Sequence, residues 1–458
     1  MWLLGRPIQF SSAMLLLLAA FLGGCPQSTE KASRSKPNFV LIVADTLRND
    51  RLHYAGYPKA QTPAIDGLAR ESTSFGRAYA TASWTLPSVA SLFLSQPGFE
   101  HQMVVFGAAL RKDQVTLVEQ LSAAGYETAG FVSNPLLGEG SGFEERFGTY
   151  EYRIYPEGGG MELTRMALDW LGSLRHAPAE EKSGKPFFLY LHYMEPHLPY
   201  LCAPEDDVEC PQDPDTLTKR LYGQGWKFND QEKKLIRELY DLEVRHLDQV
   251  MQALLSGLES LDLENTWILF TSDHGELLGE GGRYTHGGTL VEDLIHVPLL
   301  IRNPRPQPNT IDVPVSLVDV APTILELAGI ELPAPFQGRS LAAALRGEEL
   351  VGEPVLAELY RAKPGAFGQK LNDSLDPIDR LAVINGESKV LLRQDGTIAE
   401  FDLAADREEI APQPVDASRL IQELGDLHGR IDLEGNAEAV RAMDPETLKR
   451  LQVLGYVE

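Results

Sequence analysis

Cysteine is what this 458-residue chain has least of: three residues, at positions 25, 202 and 210. No further Cys or His stands near the last two at zinc-finger spacing, which makes metal binding the lesser use of that pair. Positive charge is scarce as well, with 41 Lys and Arg against 66 Asp and Glu and a net charge of −25. A field of that sign repels phosphate backbones and argues against nucleic acid as a partner. It suits solubility, and clusters of acids can also hold metal ions. There is no repeat of fixed period and no low-complexity segment beyond one short polar stretch near the N-terminus. What remains is an ordinary globular composition, 43% hydrophobic and 23% charged, long enough for one large domain or two moderate ones.

The first 24 residues read as a signal peptide. Arg6 precedes the apolar run "AMLLLLAAFLGG", which is too short to span a membrane comfortably, and "LGGC" ends it at Cys25. The odd cysteine count agrees: with Cys25 set aside, Cys202 and Cys210 frame the acidic "APEDDVE". A disulfide is the expected state of such a pair in an oxidising compartment. Residues 25–37, including "PQSTEKASRSK", read as a flexible tether.

"NFVLIVADT" opens the folded part, a continuous apolar run that ends abruptly at Asp45. Runs of this kind predict strands buried on both faces, as in a parallel sheet. The pattern recurs in "TAGFVSN", "PFFLYLHYMEPH", "TWILFTSDHG" and "HVPLLIRNP". Helical stretches lie between them. The clearest carries Leu235, Leu239, Leu242, Leu247, Val250, Leu254 and Leu258 near a 3.6 period, with Asn229 as its N-cap. Alternating strands and helices predict an α/β sheet with helices on both faces. Ligands bind outside the carboxyl ends of such strands, and here those ends are repeatedly polar. Residues 38–345 are expected to form this catalytic domain. Residues 346–458 are expected to add a small α+β subdomain: an antiparallel sheet from "PVLAELY", "LAVINGESKVLLRQ" and "GTIAEFDL", then a closing helix in "MDPETLKRLQVLGYVE".

Asp273-His274-Gly275 is the strongest local signal, a carboxylate and an imidazole placed together after a buried strand where both can face a divalent cation. Asp45 is a third candidate ligand. His286, in "RYTHGGTL", and His197, in "MEPHLPY", sit in loops whose Gly and Pro residues fix the backbone. They could bind a second metal, hold an anionic substrate or protonate a leaving group. His192 and Glu195 are expected to support them from behind. Thr85 stands just before "LPSVASLFL", where Pro87 suits a first helical turn. A hydroxyl there feels the positive end of the helix dipole. Beside a metal it becomes a candidate nucleophile and fourth ligand; the plainer alternative is that Thr85 and Ser88 only cap the helix.

Together these residues resemble the sulfatase family of the alkaline-phosphatase superfamily. The resemblance rests on "NFVLIVADTLRNDRLHYAGY", "TPAIDGLARESTSFGRAYATASWTLPSVASLF", "FFLYLHYMEPHLPY", "LENTWILFTSDHGELLGEGG", "VSLVDVAPTILELAGI", "QGRSL" and "LKRLQVLGYVE", in that order. It implies an alkaline-phosphatase-like α/β fold, a mixed, mostly parallel sheet sandwiched by helices with a small C-terminal antiparallel sheet. Two departures stand out. Sulfatases carry Cys or Ser in a C/S-x-P-S-R pattern and oxidise it to formylglycine, whereas here the segment is Thr85-Leu86-Pro87-Ser88-Val89, and Thr cannot become that aldehyde. The adjacent acidic pair of the first strand is reduced to Asp45 followed by Thr46. A Thr nucleophile resembles the phosphoethanolamine transferases instead.

The expectation is a metal-dependent hydrolase of phosphate or sulfate esters that favours phosphoesters. Thr85, His197 and His286 would be catalytic. Asp45, Thr85, Asp273 and His274 would hold the metal, with zinc or manganese favoured and calcium possible. The substrate would be a small-molecule, lipid-headgroup or glycan ester. Cys25 and "LGGC" resemble the bacterial lipoprotein box, which implies export and a lipid anchor at the cell envelope; Pro26 favours the outer membrane. Three alternatives stand beside this reading: sulfate-ester hydrolysis without formylglycine, a phosphoethanolamine-type transferase, and a non-catalytic lipoprotein that binds anionic glycans.

Overall fold

Strand β1, Asn38–Ala44, is buried at every residue after the first. In the computed structural model its side chains alternate between two cores. Phe39, Leu41 and Val43 enter one, and Val40, Ile42 and Ala44 the other, as the period-2 geometry of a strand requires. Residues 36–410 are described, apart from 155–158, 177–184, 204–205, 209, 212, 224–226, 262, 264, 361–378 and 394–397. The signal segment, all of the tether but residues 36 and 37, and the closing helix expected from the sequence therefore lie outside the described residues. Among those described, no helix is long and apolar enough to cross a membrane.

The other main strands are β2 (Thr73–Phe75), β3 (Glu127–Val132), β4 (Thr149–Tyr152), β5 (Phe187–Tyr193), β6 (Thr266–Ser272), β7 (Leu299–Arg302) and β8 (Asn309–Ile311). They form an eight-stranded sheet in the order β8-β2-β7-β6-β1-β5-β3-β4. From β6 to β4 all neighbours are parallel, while β7 runs antiparallel to both β6 and β2. The sheet is therefore mixed and mostly parallel, the α/β architecture expected.

Helices α1 (Pro63–Arg70), α4 (Gly160–His176) and α6 (Asp230–Ser260) cover one face through Ile65, Leu163, Leu171, Leu239, Leu247 and Leu254. Helix α6 starts at the Asn229 cap, where Asn229 and Glu232 form a reciprocal capping box. The opposite face is covered by α2 (Thr85–Leu94), α3 (Leu117–Ala123) and α7 (Val320–Leu327). Cys202 and Cys210 are joined as a disulfide, just ahead of α5 (Pro214–Tyr222).

The C-terminal sheet comprises β9 (Val355–Glu358), β10 (Asp379–Asn385), β11 (Ser388–Arg393) and β12 (Ile398–Asp402), antiparallel throughout. Ala357, Ile384 and Phe401 pack into the same core as α2. Lys389 on β11 points the same way. It is wholly buried and paired with Glu292 at 3.0 Å and Glu409 at 2.9 Å. Glu292 belongs to the turn of helix that leads back into the main domain, so this ion group helps fix the small sheet to the large one. Removing one member leaves uncompensated buried charge. Lys389→Met is therefore expected to lower stability by about 3–5 kcal/mol, read as a fall in the urea midpoint at unchanged slope.

Candidate functional site

Parallel register brings the expected residues together. Ala44 of β1 pairs with Tyr193 of β5 and with Ser272 of β6, and Val132 of β3 is level with His192. The residues that follow, Asp45, Asn134, Glu195–His197 and Asp273, leave the sheet at one edge. This is where an α/β sheet binds its ligand.

Asp45 is fully buried. Its Oδ2 accepts from Asn134 Nδ2 at 2.6 Å and lies 3.1 Å from His192 Nε2. Asp273 is equally buried, and its Oδ1 accepts from the backbone N–H groups of Thr46 and His274. Asp45 Oδ1 and Asp273 Oδ2 find no hydrogen-bond donor among the described residues. His274 Nε2 stands 3.7 Å from the first and 3.5 Å from the second. The ligand atoms of Asp45, His192 and Asp273 lie within 4.8 Å of one another. Burial, together with the Asp45 charge, pushes the Asp273 carboxyl well above its usual range. Asp45 is held low, because neighbouring histidines outweigh the burial that opposes its charge. Two buried carboxylates, each with an oxygen that no donor among the described residues satisfies and with imidazoles around them, fit a divalent cation.

His274 Nδ1 donates to the Gly275 carbonyl at 2.9 Å. That bond fixes the tautomer and leaves Nε2 as the unprotonated nitrogen facing the two carboxylates. Burial depresses the His274 pKa well below the usual histidine range, and the nearby His286 charge adds to the effect. Position 275 has to be glycine: a Cβ there would come within 2.0 Å of the Asp293 carbonyl oxygen. Arg48 anchors the same loop, donating to the Glu276 carbonyl and pairing with Glu280 and Asp293.

Thr85 is the first residue of α2, and Trp84 occupies the N-cap without a side-chain capping bond. Thr85 Oγ1 receives a hydrogen bond from Asn134 Nδ2 at 3.2 Å and lies 3.4 Å from His274 Nε2. Ser88 donates to the Asp273 carbonyl at 2.6 Å. Neither hydroxyl caps the helix, so the plainer alternative for this segment does not hold. His197 donates through Nδ1 to the Leu198 carbonyl. Its ring centroid is 5.1 Å from that of His286, which is in turn 4.6 Å from that of His274. The structure thus brings Asp45, Thr85, His197, Asp273, His274 and His286 into one cluster.

Three further residues belong to it. His192, expected behind the site, contacts Asp45 directly and receives its orientation from Tyr190 Oη, 2.7 Å from Nδ1. Asn134 ends the "TAGFVSN" run, and only the pairing of β3 with β5 reveals that its amide bridges Asp45 and Thr85. Glu276, buried and 3.1 Å from His286 Nδ1, accepts the proton of that nitrogen in a hydrogen bond. Burial opposes charge on His286, but the Glu276 carboxylate overcomes it and raises the His286 pKa.

Residues 37–330 match the family model described as Sulfatase. The chain belongs to the sulfatase family. An uncharacterized sulfatase of Escherichia coli is 26% identical over 385 residues, covering 73% of this chain and 75% of its own length. Among solved structures, the phosphonate monoester hydrolase of Agrobacterium radiobacter superposes with a TM-score of 0.66 at 20% identity, covering 86% of this chain and 94% of its own. A protein solved with its substrate D-glucosamine-2-N,6-O-disulfate gives a TM-score of 0.66 at 19% identity, covering 88% and 100%. These likenesses carry the fold; the family carries the activity, so this sulfatase is an ester hydrolase with a buried Asp/His group of the metal-binding kind.

If these carboxylates hold a cation, metal-free protein gains stability when metal is added, by about 2.7 kcal/mol at a hundredfold excess over Kd. Thermal melts with zinc and with manganese should show the gain, and Asp273→Asn should abolish it. A second test concerns Glu243 of α6, which accepts from the Leu201 N–H and so ties down the loop that carries His197. Burial raises its pKa to about 7. The folded protein then keeps a proton that the unfolded chain sheds, so this stability is full below the ordinary carboxyl range and is lost as pH rises through 7. Glu243→Gln should be more stable than wild type at pH 8 by about 3 kcal/mol, and the two should converge near pH 4.5 in paired denaturant titrations.

Proposed function

We propose that this sulfatase-family enzyme hydrolyses phosphoesters through a covalent Thr85 intermediate. The observation that carries the reading is Thr85 Oγ1 itself: buried, capping nothing, and held between Asn134 and His274. Asp45, Asp273 and His274 would hold one divalent cation beside Thr85, with His192 within reach. Such a cation supplies charge that lowers the pKa of an adjacent hydroxyl and offsets negative charge on the transferred group.

The residues then divide the work. Thr85 Oγ1 gives up its proton to solvent and attacks phosphorus in line; the Thr85 Oγ1–P bond forms as the P–O bond to the alcohol breaks. His286, whose pKa the Glu276 carboxylate raises against the effect of burial, gives its Nε2 proton to the departing oxygen. His197 has its Nδ1 proton engaged by the Leu198 carbonyl, which leaves Nε2 to accept a proton from the water that attacks the phosphothreonine. As the Oγ1–P bond breaks, phosphate leaves with the new P–O bond, His197 passes its proton to Thr85 Oγ1 to restore the hydroxyl, and His286 regains its proton from solvent. Asn134 keeps the nucleophile aligned throughout.

Phosphate is favoured over sulfate because a threonyl phosphate is a stable ester that water can release, and because Thr85 cannot supply formylglycine. We propose further that the enzyme is exported and anchored through lipid on Cys25, a reading that rests on "LGGC" and the apolar run before it.

The deciding experiment loads the domain without Cys25 with zinc or manganese and assays p-nitrophenyl phosphate, bis-p-nitrophenyl phosphate and p-nitrophenyl sulfate side by side. Phosphoester turnover should fall by about a thousandfold or more in Thr85→Ala. Acid-quenched wild type should carry phosphate on the peptide that contains Thr85. Sulfate turnover that survives Thr85→Ala would overturn the proposal.

A further inference from the structure

Tyr222 ends α5, the helix that follows the Cys202–Cys210 disulfide. Its Oη is buried and has no hydrogen-bond partner among the described residues. Leaving a buried hydroxyl unpaired costs about 1–3 kcal/mol, and native structures seldom accept that without a functional reason. The surroundings of this hydroxyl supply one. The Tyr222 ring meets the His286 ring edge-on, with centroids 6.5 Å apart and planes at 87°. The carboxylates of Asp45 and Glu276 are close enough to work with burial in keeping the phenol protonated. It is therefore a donor with no acceptor among the described residues, placed beside the histidine cluster.

The helix that carries it is held against the same cluster. Arg220, two residues earlier, lies over the Phe228 ring at 4.7 Å and pairs with Glu232 of α6. Phe228 packs on Tyr284 at 4.7 Å, and Tyr284 immediately precedes the Thr285-His286 turn. The positions of Tyr222 and His286 are thus set by one stack of side chains.

Building on the proposed function, we infer that Tyr222 is a catalytic residue whose hydroxyl donates a hydrogen bond to a non-bridging oxygen of the tetrahedral oxyanion held at Thr85. The ligand chemistry is that of a phosphoryl or sulfuryl group, and the bond persists in the free inorganic anion. A hydrogen bond to a charged acceptor is roughly twice as strong as a neutral one, which makes Tyr222 part of the site's anion specificity. The residue lies outside every stretch that carries the family resemblance, so it belongs to the part of the chain that can set substrate choice.

The test compares Tyr222→Phe with wild type in the metal-loaded protein and uses two readouts. Binding of inorganic phosphate, measured by calorimetry, should weaken by about tenfold or more, and kcat/KM for p-nitrophenyl phosphate should fall by a similar factor. The melting temperature should stay level or rise, because the lost hydroxyl bonds to no group among the described residues. Unchanged phosphate affinity would overturn the inference, as would a fall in affinity matched by a loss of stability. Thr85→Ala keeps the two proposals apart. If it loses turnover while Tyr222→Phe binds phosphate normally, only the Tyr222 inference fails. If it retains turnover while Tyr222→Phe binds phosphate weakly, the Thr85 mechanism fails and the oxyanion contact stands.

Discussion

Asp45 and Asp273 lie buried at the ends of neighbouring parallel strands, and each has a carboxylate oxygen that no donor among the described residues satisfies. Much of the surrounding structure follows from that electrostatic constraint. An uncompensated buried charge costs several kcal/mol, so the chain surrounds the pair with groups that tolerate or use it. His192 and Asn134 approach one oxygen of Asp45, and two backbone N–H groups take one oxygen of Asp273. The remaining oxygen on each is what a cation would take. His274 is already in the right tautomer to join it, because its other nitrogen is engaged by the Gly275 carbonyl.

The sheet explains why so much of this was legible in one dimension. A strand buried on both faces is a continuous apolar run, and its end is marked where the first polar residue emerges. That signature located β1, β3, β5, β6 and β7 in the sequence, and with them Asp45, His197 and Asp273. What the sequence does not contain is which strand ends meet. The order β6-β1-β5-β3 is a tertiary fact, and it turns Asn134 from the last residue of an apolar run into the bridge between Asp45 and Thr85. For a related reason the sequence alone places His192 behind the site. Even numbers along β5 face the α2 side, as Phe188 and Tyr190 do, so the ring emerges beside β1 and β3 rather than behind the site.

Lys389 shows the opposite failure. In an alternating antiparallel strand a lysine reads as a solvent-facing position, yet this one shares the inward face with Leu391 and is wholly buried. Its two acidic partners come from distant stretches, Glu292 and Glu409, and only their convergence makes the position tenable. Tyr222 was invisible for another reason again. Its hydroxyl has no hydrogen-bond partner among the described residues, and no pattern of residue types records that.

The replacement at position 85 alters what the rest of the site must do. A formylglycine hydrate has a second hydroxyl, so it can shed its ester by elimination without attack at the central atom. Thr85 has only one oxygen, and a β-branched side chain with restricted rotation about χ1, locked between Asn134 and His274. As the proposed nucleophile, Thr85 would release its ester only through attack of water or another acceptor on phosphorus or sulfur. That step needs a base that stays neutral, and burial lowers the pKa of His197 while the Leu198 carbonyl holds its Nδ1 proton. It also needs an acid for the first half-reaction, and Glu276 raises the pKa of His286. Two histidines with ring centroids 5.1 Å apart are thus driven in opposite directions by their surroundings, which is the separation of roles that a two-step displacement at a single hydroxyl demands.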